Sequence, residues 1–139
     1  MQAFRKLLKY AMPAILAVMV IGLILSRVIS PDDTRGPAEQ ITPYEASDYV
    51  DQRAEVCGRV ESADHITGID GSPTFLNLEQ AYPDAPFTVV IWEEHVHRWE
   101  SPPVDLYDNR HICVTGTIDL HDGTPQIALS DPSNIRIER

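Results

Sequence analysis

"VTGTIDLHDGTPQIALSDPSNI", residues 114–135, is the stretch on which the fold turns. Two strand-like runs, residues 112–120 and 126–130, flank a turn at Asp122-Gly123-Thr124-Pro125, and Asp131-Pro132-Ser133-Asn134 stops the second run. In the first run Ile112, Val114, Gly116, Ile118 and Leu120 alternate with Cys113, Thr115, Thr117 and Asp119. That period of two is the pattern of a strand with one buried face. An Asp-Gly pair between two such runs is a hairpin signal. The hairpin is expected mainly to close a sheet and only secondarily to border a binding surface.

Working outward, residues 54–63 set Val56, Gly58 and Val60 against Cys57, Arg59 and Glu61. Residues 74–78 set Leu76 and Leu78 against Phe75 and Asn77, and residues 87–92 are apolar on both faces, as a central strand would be. Between the third and fourth strands "EEHVHRWESPPVDLYDNR", residues 93–110, has room for a helical turn or two and a Pro-Pro loop. Ahead of the strands, Thr42-Pro43-Tyr44-Glu45 reads as a helix start: Thr42 as N-cap, Pro43 at the first helical position, Glu45 completing a capping box. Five strands with a helical segment between the third and fourth is the order of an OB-fold, a small Greek-key barrel. Gly58 and Gly116 fall mid-strand, where a small barrel needs a bend or a close backbone approach. Periodicity alone is also compatible with a sandwich.

The motifs Thr74-Phe75-Leu76-Asn77, Phe87-Thr88-Val89-Val90-Ile91-Trp92, Val114-Thr115-Gly116, Gly123-Thr124-Pro125-Gln126-Ile127 and Asp131-Pro132-Ser133 resemble those of small bacterial OB-fold nucleic-acid-binding-like domains, found alone or beside nuclease-type domains. The likeness covers residues 50–137. It implies an all-β, five-stranded OB barrel with a short helix, and a single-stranded nucleic acid as the first ligand to consider. Such folds bind single strands on aromatic platforms of the second and third strands beside basic grooves. Phe75, Asn77, Trp92 and Arg59 are the candidate ligand-binding residues on that basis. Aromatics in a barrel of this size are mostly core, however, and core or loop packing is the competing expectation for Phe75 and Trp92 as it is for Tyr82, Phe87 and Trp99. His121 and Asp122 stand where the pattern often has an aromatic and a basic residue.

The N-terminal 30 residues are of another kind. Arg5, Lys6 and Lys9 lead into residues 10–26, a 17-residue run without a charged group, followed by Arg27. Seventeen helical residues span roughly 25 Å, and residues 7–29 reach the ~30 Å hydrocarbon core once Lys9 and Arg27 extend outward. A cleaved signal peptide would have a shorter apolar run and a small-x-small site, and "SRVISP" at 26–31 offers none. The expectation is an uncleaved transmembrane helix at residues 1–30, a linker at 31–43 and a domain at 44–139. Basic residues ahead of the run and Asp32 and Asp33 after it put the N-terminus in the cytoplasm. The domain is then periplasmic or extracellular, in a bacterial inner membrane protein.

Residues 31–139 carry all 21 carboxylates of the chain against seven arginines and no lysine, a net charge of −14. Such a surface disfavours polyanionic partners. Any nucleic-acid binding is therefore expected to be weak. The alternative is a protein-interaction or structural module of a membrane complex, or a reader of cell-wall or cationic ligands.

Cys57 and Cys113, on neighbouring strands in an oxidising compartment, are expected to form a disulfide. Closing a 56-residue span contributes roughly 3 to 4 kcal/mol on chain-entropy grounds. His95-Val96-His97 with Glu93 and Glu94 has donor types suited to zinc or copper, but side chains two apart diverge on a helix, and a solvated helix end is the expected role. No serine or cysteine accompanies a base motif, no Gly-rich phosphate loop occurs, and the His-x-x-x-Tyr pattern of haem-carrying OB domains is absent. No metal, cofactor or enzymatic activity is expected.

Overall fold

The computed structural model of the chain describes residues 37–139. The expected membrane helix at 1–30 lies outside the described residues, as do residues 31–36 of the linker expected at 31–43. No helix among the described residues is long and apolar enough to cross a membrane. The folded unit begins at Ala38, six residues ahead of the expected domain start, because Glu39–Ile41 form a strand, β1.

The fold is mostly β. A 3-10 helix at Pro43–Tyr49 is followed by β2 (Arg53–His65), β3 (Thr74–Leu78) and β4 (Phe87–Ile91). Two short helices come next, α1 (Glu93–Val96) and α2 (Pro103–Tyr107). The chain closes with β5 (His111–Thr117), β6 (Asp119–His121), β7 (Thr124–Ala128), a 3-10 turn at Pro132–Asn134 and β8 (Ile135–Ile137). Eight strands replace the five expected. Two, β1 and β8, are additions of three residues each, too short to show alternation in the sequence, and β6 is the end of the expected fourth strand, divided from β5.

The sheet runs β6-β7-β4-β3-β2-β5-β8, with β1 parallel to β2 off this path. The 13-residue β2 serves both halves. Residues 53–59 pair with β5, then a register shift between Val60 and Ser62 bends the strand so that its C-terminal half pairs with β3. A bulge of this kind lets one strand turn a corner between sheets. β4 and β7 are parallel, whereas β2 is antiparallel to both β3 and β5. The result is barrel-like around one core, in which Val56, Val60, Leu76, Leu78, Phe87, Val89, Ile91, Ile112, Val114 and Ile127 are buried. Where β5 crosses β7, a Cβ on Gly116 would lie 2.7 Å from Ile127 Cγ2. The mid-strand glycine therefore permits a close approach that alanine would obstruct.

The expected fourth strand breaks at Ile118. Its N–H donates to Gln52 O at 3.0 Å and its carbonyl accepts from Asp51 N at 2.8 Å. That peptide thus leaves the β-ladder to satisfy the turn before β2, and β6 starts afresh at Asp119. The following turn uses Asp122 (φ 49°) and Gly123 (φ 80°), both left-handed as a tight two-residue hairpin requires. Thr124 and Pro125 already belong to β7. The expected Pro-Pro loop is also partly helical, since Pro103 opens α2, where a missing N–H costs nothing. Trp99 Nε1 donates to the Tyr107 hydroxyl at 3.0 Å in a buried contact that ties the α1–α2 connection to α2. Burial pushes the Tyr107 phenol up, and the Trp99 bond partly offsets it.

Cys57 and Cys113 are disulfide-bonded, directly opposite one another on β2 and β5. Cys113 is buried despite its place on the outward alternation. Both thiols being consumed, the grouping of Glu55 with these cysteines is not a metal site.

Two exposed carboxylates cap the 3-10 turns. Glu45 accepts from Thr42 N at 2.7 Å and Thr42 Oγ1 at 2.9 Å, and these bonds, the backbone one foremost, lower its pKa. Asp131 accepts from Ser133 N at 2.8 Å and is lowered in the same way, with Arg98 contributing. A group depressed in the folded state stabilises above its unfolded pKa, and that stability is lost as pH falls through the folded value. Melting temperature should therefore drop on acidification below the ordinary carboxylate range. The double variant Glu45→Gln/Asp131→Asn should show a flatter acid limb. An unchanged limb in melts across pH would contradict the assignment.

Candidate ligand-binding groove

The outward faces of β2, β3, β4 and β7 line up in cross-strand rows. Ser62 pairs with Asn77, Asn77 with Thr88 and Thr88 with Gln126. The adjacent row runs from Asp64 to Phe75, Val90 and Ala128. The first row is uncharged and polar, the second apolar with one carboxylate at its end. Asn77 is buried, and it organises its row: Nδ2 donates to Ser62 Oγ at 3.0 Å and Oδ1 accepts from Thr88 Oγ1 at 3.1 Å. Burial of an amide side chain is costly unless both ends are bonded, and this one is bonded across three strands.

Loops raise walls around these rows. Ile66 and Ile69 stand on the β2–β3 loop, Tyr82, Pro83 and Ala85 on the β3–β4 loop, and His121 and Asp122 on the β6–β7 turn. Together with Phe75, Asn77, Thr88 and Gln126 they enclose a groove of about 830 Å³. Its size lies within the usual range for ligand pockets. Ile69 and Tyr82 are 50% and 81% exposed, so the walls present apolar side chains to solvent with nothing packed on them. The charged lining residues are Asp64 and Asp122, beside His121. Among the described residues, no arginine or lysine lines the groove. His121 Nε2 lies 3.4 Å from Asp122 Oδ2.

Of the four residues expected to bind a ligand, Phe75 and Asn77 meet in this groove. Trp92 does not. It follows the last residue of β4, and its ring lies against Gly71, where a Cβ would come within 2.7 Å of Trp92 Cε3. There it borders a separate recess of about 400 Å³ with Ser72, Glu93 and Glu94. Arg59 is also elsewhere, on the half of β2 that pairs with β5. Its guanidinium is bonded to Asn109 Oδ1 and lies 3.8 Å from Glu61. Phe87 and Trp99 are buried as expected of core aromatics, whereas Tyr82 is a groove wall. Ser62, Asp64, Ile66, Ile69, Thr88 and Gln126 were not candidates from sequence. Only strand register brings them to one face.

The histidines form surface pairs: His65 with Glu93 (3.0 Å), His95 with Glu94 (3.4 Å) and His111 with Glu138 (2.9 Å). His95 and His97 do not converge on a common point with a third donor among the described residues.

No family model matches the chain, and no curated protein matches it. Among solved structures, the chain is similar to one described as an aspartyl-tRNA synthetase from Leishmania major Friedlin, with 14% identity and a TM-score of 0.46. The match covers 76% of this chain and spans 22% of that protein's length.

Proposed function

We propose that the domain is an OB-fold binding module that presents the groove across β2, β3, β4 and β7 to a polypeptide segment of a partner, and that it is not an enzyme. The parallel β4–β7 pairing and the long β2 shared between β3 and β5 support the OB reading. The outer face of the second and third barrel strands, with flanking loops, is where such barrels take oligomeric ligands. The observation that carries the choice of ligand is the groove lining, which among the described residues has two carboxylates and no arginine or lysine. Nucleic-acid affinity rests largely on basic side chains that displace counterions from phosphates, and here phosphates would meet Asp64 and Asp122. Thr88 donates its hydroxyl to Asn77 Oδ1 and Ser62 Oγ accepts from Asn77 Nδ2, so both are held by an amide and not by a base, which favours binding over catalysis.

Residues 7–29 are proposed as a membrane anchor that holds the domain outside the cytoplasm, as part of a membrane complex. The disulfide is compatible with an oxidising compartment.

Single-stranded nucleic acid is the second reading, favoured by Phe75 in the groove. Stacking of a base on it contributes roughly 1 to 3 kcal/mol, too little to offset the repulsion at physiological salt. Fluorescence anisotropy of labelled single-stranded DNA and RNA, titrated with the full chain over a salt series, should show no micromolar binding. Micromolar binding with a steep negative salt slope, lost in Phe75→Ala, would reverse the two readings.

A further inference from the structure

Taking the groove as a polypeptide-binding face, we infer that its occupant is a proline-rich segment in the polyproline II conformation, flanked by lysine or arginine. The inference comes from what the groove offers to a main chain. Its floor is β3, β4 and β7, and each of these strands has a hydrogen-bonded neighbour on both sides. Their peptide groups are engaged with one another, so an occupant lying over them meets side chains only. At the end of the sheet order, Leu120 N on β6 donates to Asp119 Oδ1 at 2.8 Å, and this N–H is not offered to an added strand either.

A strand or coil lying on that floor would bring an N–H and a carbonyl with every residue. Main-chain donors removed from water are costly unless they find acceptors. Proline brings no N–H, and polyproline II has no internal hydrogen bonds to lose and is already formed before binding. The carbonyls of such a segment need donors, and the lining supplies the Tyr82 and Thr124 hydroxyls and the Gln126 amide. Surfaces for the pyrrolidine rings are also present. Phe75 lies between the wall of Ile66 and Ile69 and the wall of Tyr82 and Pro83, and Tyr82 is 81% exposed. Aromatic-lined grooves are the surfaces on which proline-rich segments dock.

The flanking charge follows from Asp64 and Asp122, which stand on β2 and on the β6–β7 turn, at opposite margins of the floor strands. A lysine or arginine beside the proline run gains a counter-charge at either margin. A polyanion would place like charge on both carboxylates. An amphipathic helix satisfies its own main chain, but it would lay apolar side chains on the polar row of Ser62, Asn77, Thr88 and Gln126.

The test uses the full chain in a non-ionic detergent and fluorescent peptides with blocked termini. One has six prolines with a lysine at each end. A second has both lysines replaced by glutamate. A third keeps the lysines and replaces the prolines with alanine, which restores the N–H groups. The first should bind at least about tenfold more tightly than either of the others. Tyr82→Ala, at an exposed side chain, should weaken it by about fivefold and Asp64→Asn/Asp122→Asn by about tenfold. Asparagine suits the left-handed backbone of residue 122, so the turn is kept. Glu100→Gln/Asp105→Asn makes the same change in net charge on exposed residues outside the groove lining. It should alter the affinity less than about twofold.

Equal binding of the alanine peptide would remove the need for proline while leaving a polypeptide-binding groove. Equal binding of the glutamate peptide would remove the basic flanks, and equal loss in the charge control would mean attraction to overall charge. Each of these results overturns the inference. Failure of every peptide, with the DNA and RNA probes also silent, would reject the proline-rich segment while leaving the non-nucleic-acid reading of the groove intact. Groove-dependent oligonucleotide binding would reject both.

Discussion

Replacing Phe87 with alanine should destabilise the domain by about 3 to 5 kcal/mol, the range for truncating a buried aromatic. Phe87 is fully buried at the start of β4, where it faces Leu78 across the β3–β4 pairing. A small domain has about 5 to 15 kcal/mol of stability in all, so the variant should lie near the edge of folding. The comparison that gives this result meaning is Phe75→Ala. Phe75 is half-buried on the opposite face of β3, toward the groove. Burial of about half a phenylalanine is worth roughly 1 kcal/mol. The two truncations remove the same side chain from adjacent strands, so denaturant midpoints on the full chain should separate core from binding face. Equal losses would contradict the assignment of Phe75 to an open face.

The second large effect is expected at the disulfide. Cys57 and Cys113, at a sequence separation of 56, close a loop that contains β3, β4 and both short helices. Constraining that span in the unfolded chain contributes roughly 3 to 4 kcal/mol. The variant Cys57→Ser/Cys113→Ser should therefore unfold at markedly lower denaturant while retaining a β-type circular dichroism spectrum. Its β2–β5 ladder has seven paired positions and does not depend on the covalent link for register. Thiol alkylation of the unreduced wild type should add no label. An unaltered midpoint would show that the unfolded chain gains nothing from the link.

The long strands were legible because their buried faces recur at every second residue. Val56 and Val60, Leu76 and Leu78, and Ile112 and Val114 each point to the core as that pattern requires. The three-residue strands β1 and β8 were not legible, because three residues carry no period. The division of the fourth strand was hidden for a different reason. Ile118 is apolar and in phase, but its backbone bonds to Asp51 and Gln52 are long-range and leave no mark in the local pattern. The pairing of Cys57 with Cys113 was readable from two alternating strands and a fold order.

The site was half legible. Phe75 and Asn77 lie on the outward phase of β3, and that phase was visible in the sequence. Trp92 belongs to the same apolar run as β4, yet it sits just past the strand's end, where its ring is held against Gly71. Arg59 lies on β2 in the half that faces β5, whereas Ser62 and Asp64, beyond the register shift, reach the groove. A one-residue shift in a strand exchanges its faces, and the shift at Val60/Ser62 is a tertiary feature. Asp64 and Asp122 read as solvating residues because sequence separates them by 58 positions, while the fold sets them on either side of one groove.

The central claim is that the ligand occupies the face between the Ile66–Ile69 and Tyr82–Ala85 walls and is a polypeptide. It is tested most directly by placing a photo-crosslinking amino acid at Tyr82, and separately at Ile137, in cells that make the full chain. Tyr82 is 81% exposed on the groove wall, and Ile137 is 39% exposed on β8 at the far end of the sheet order. Irradiation should yield an adduct at position 82 whose digest contains peptides of a second protein, and none at position 137. A nucleotide adduct at position 82, or protein adducts at position 137 alone, would contradict the account.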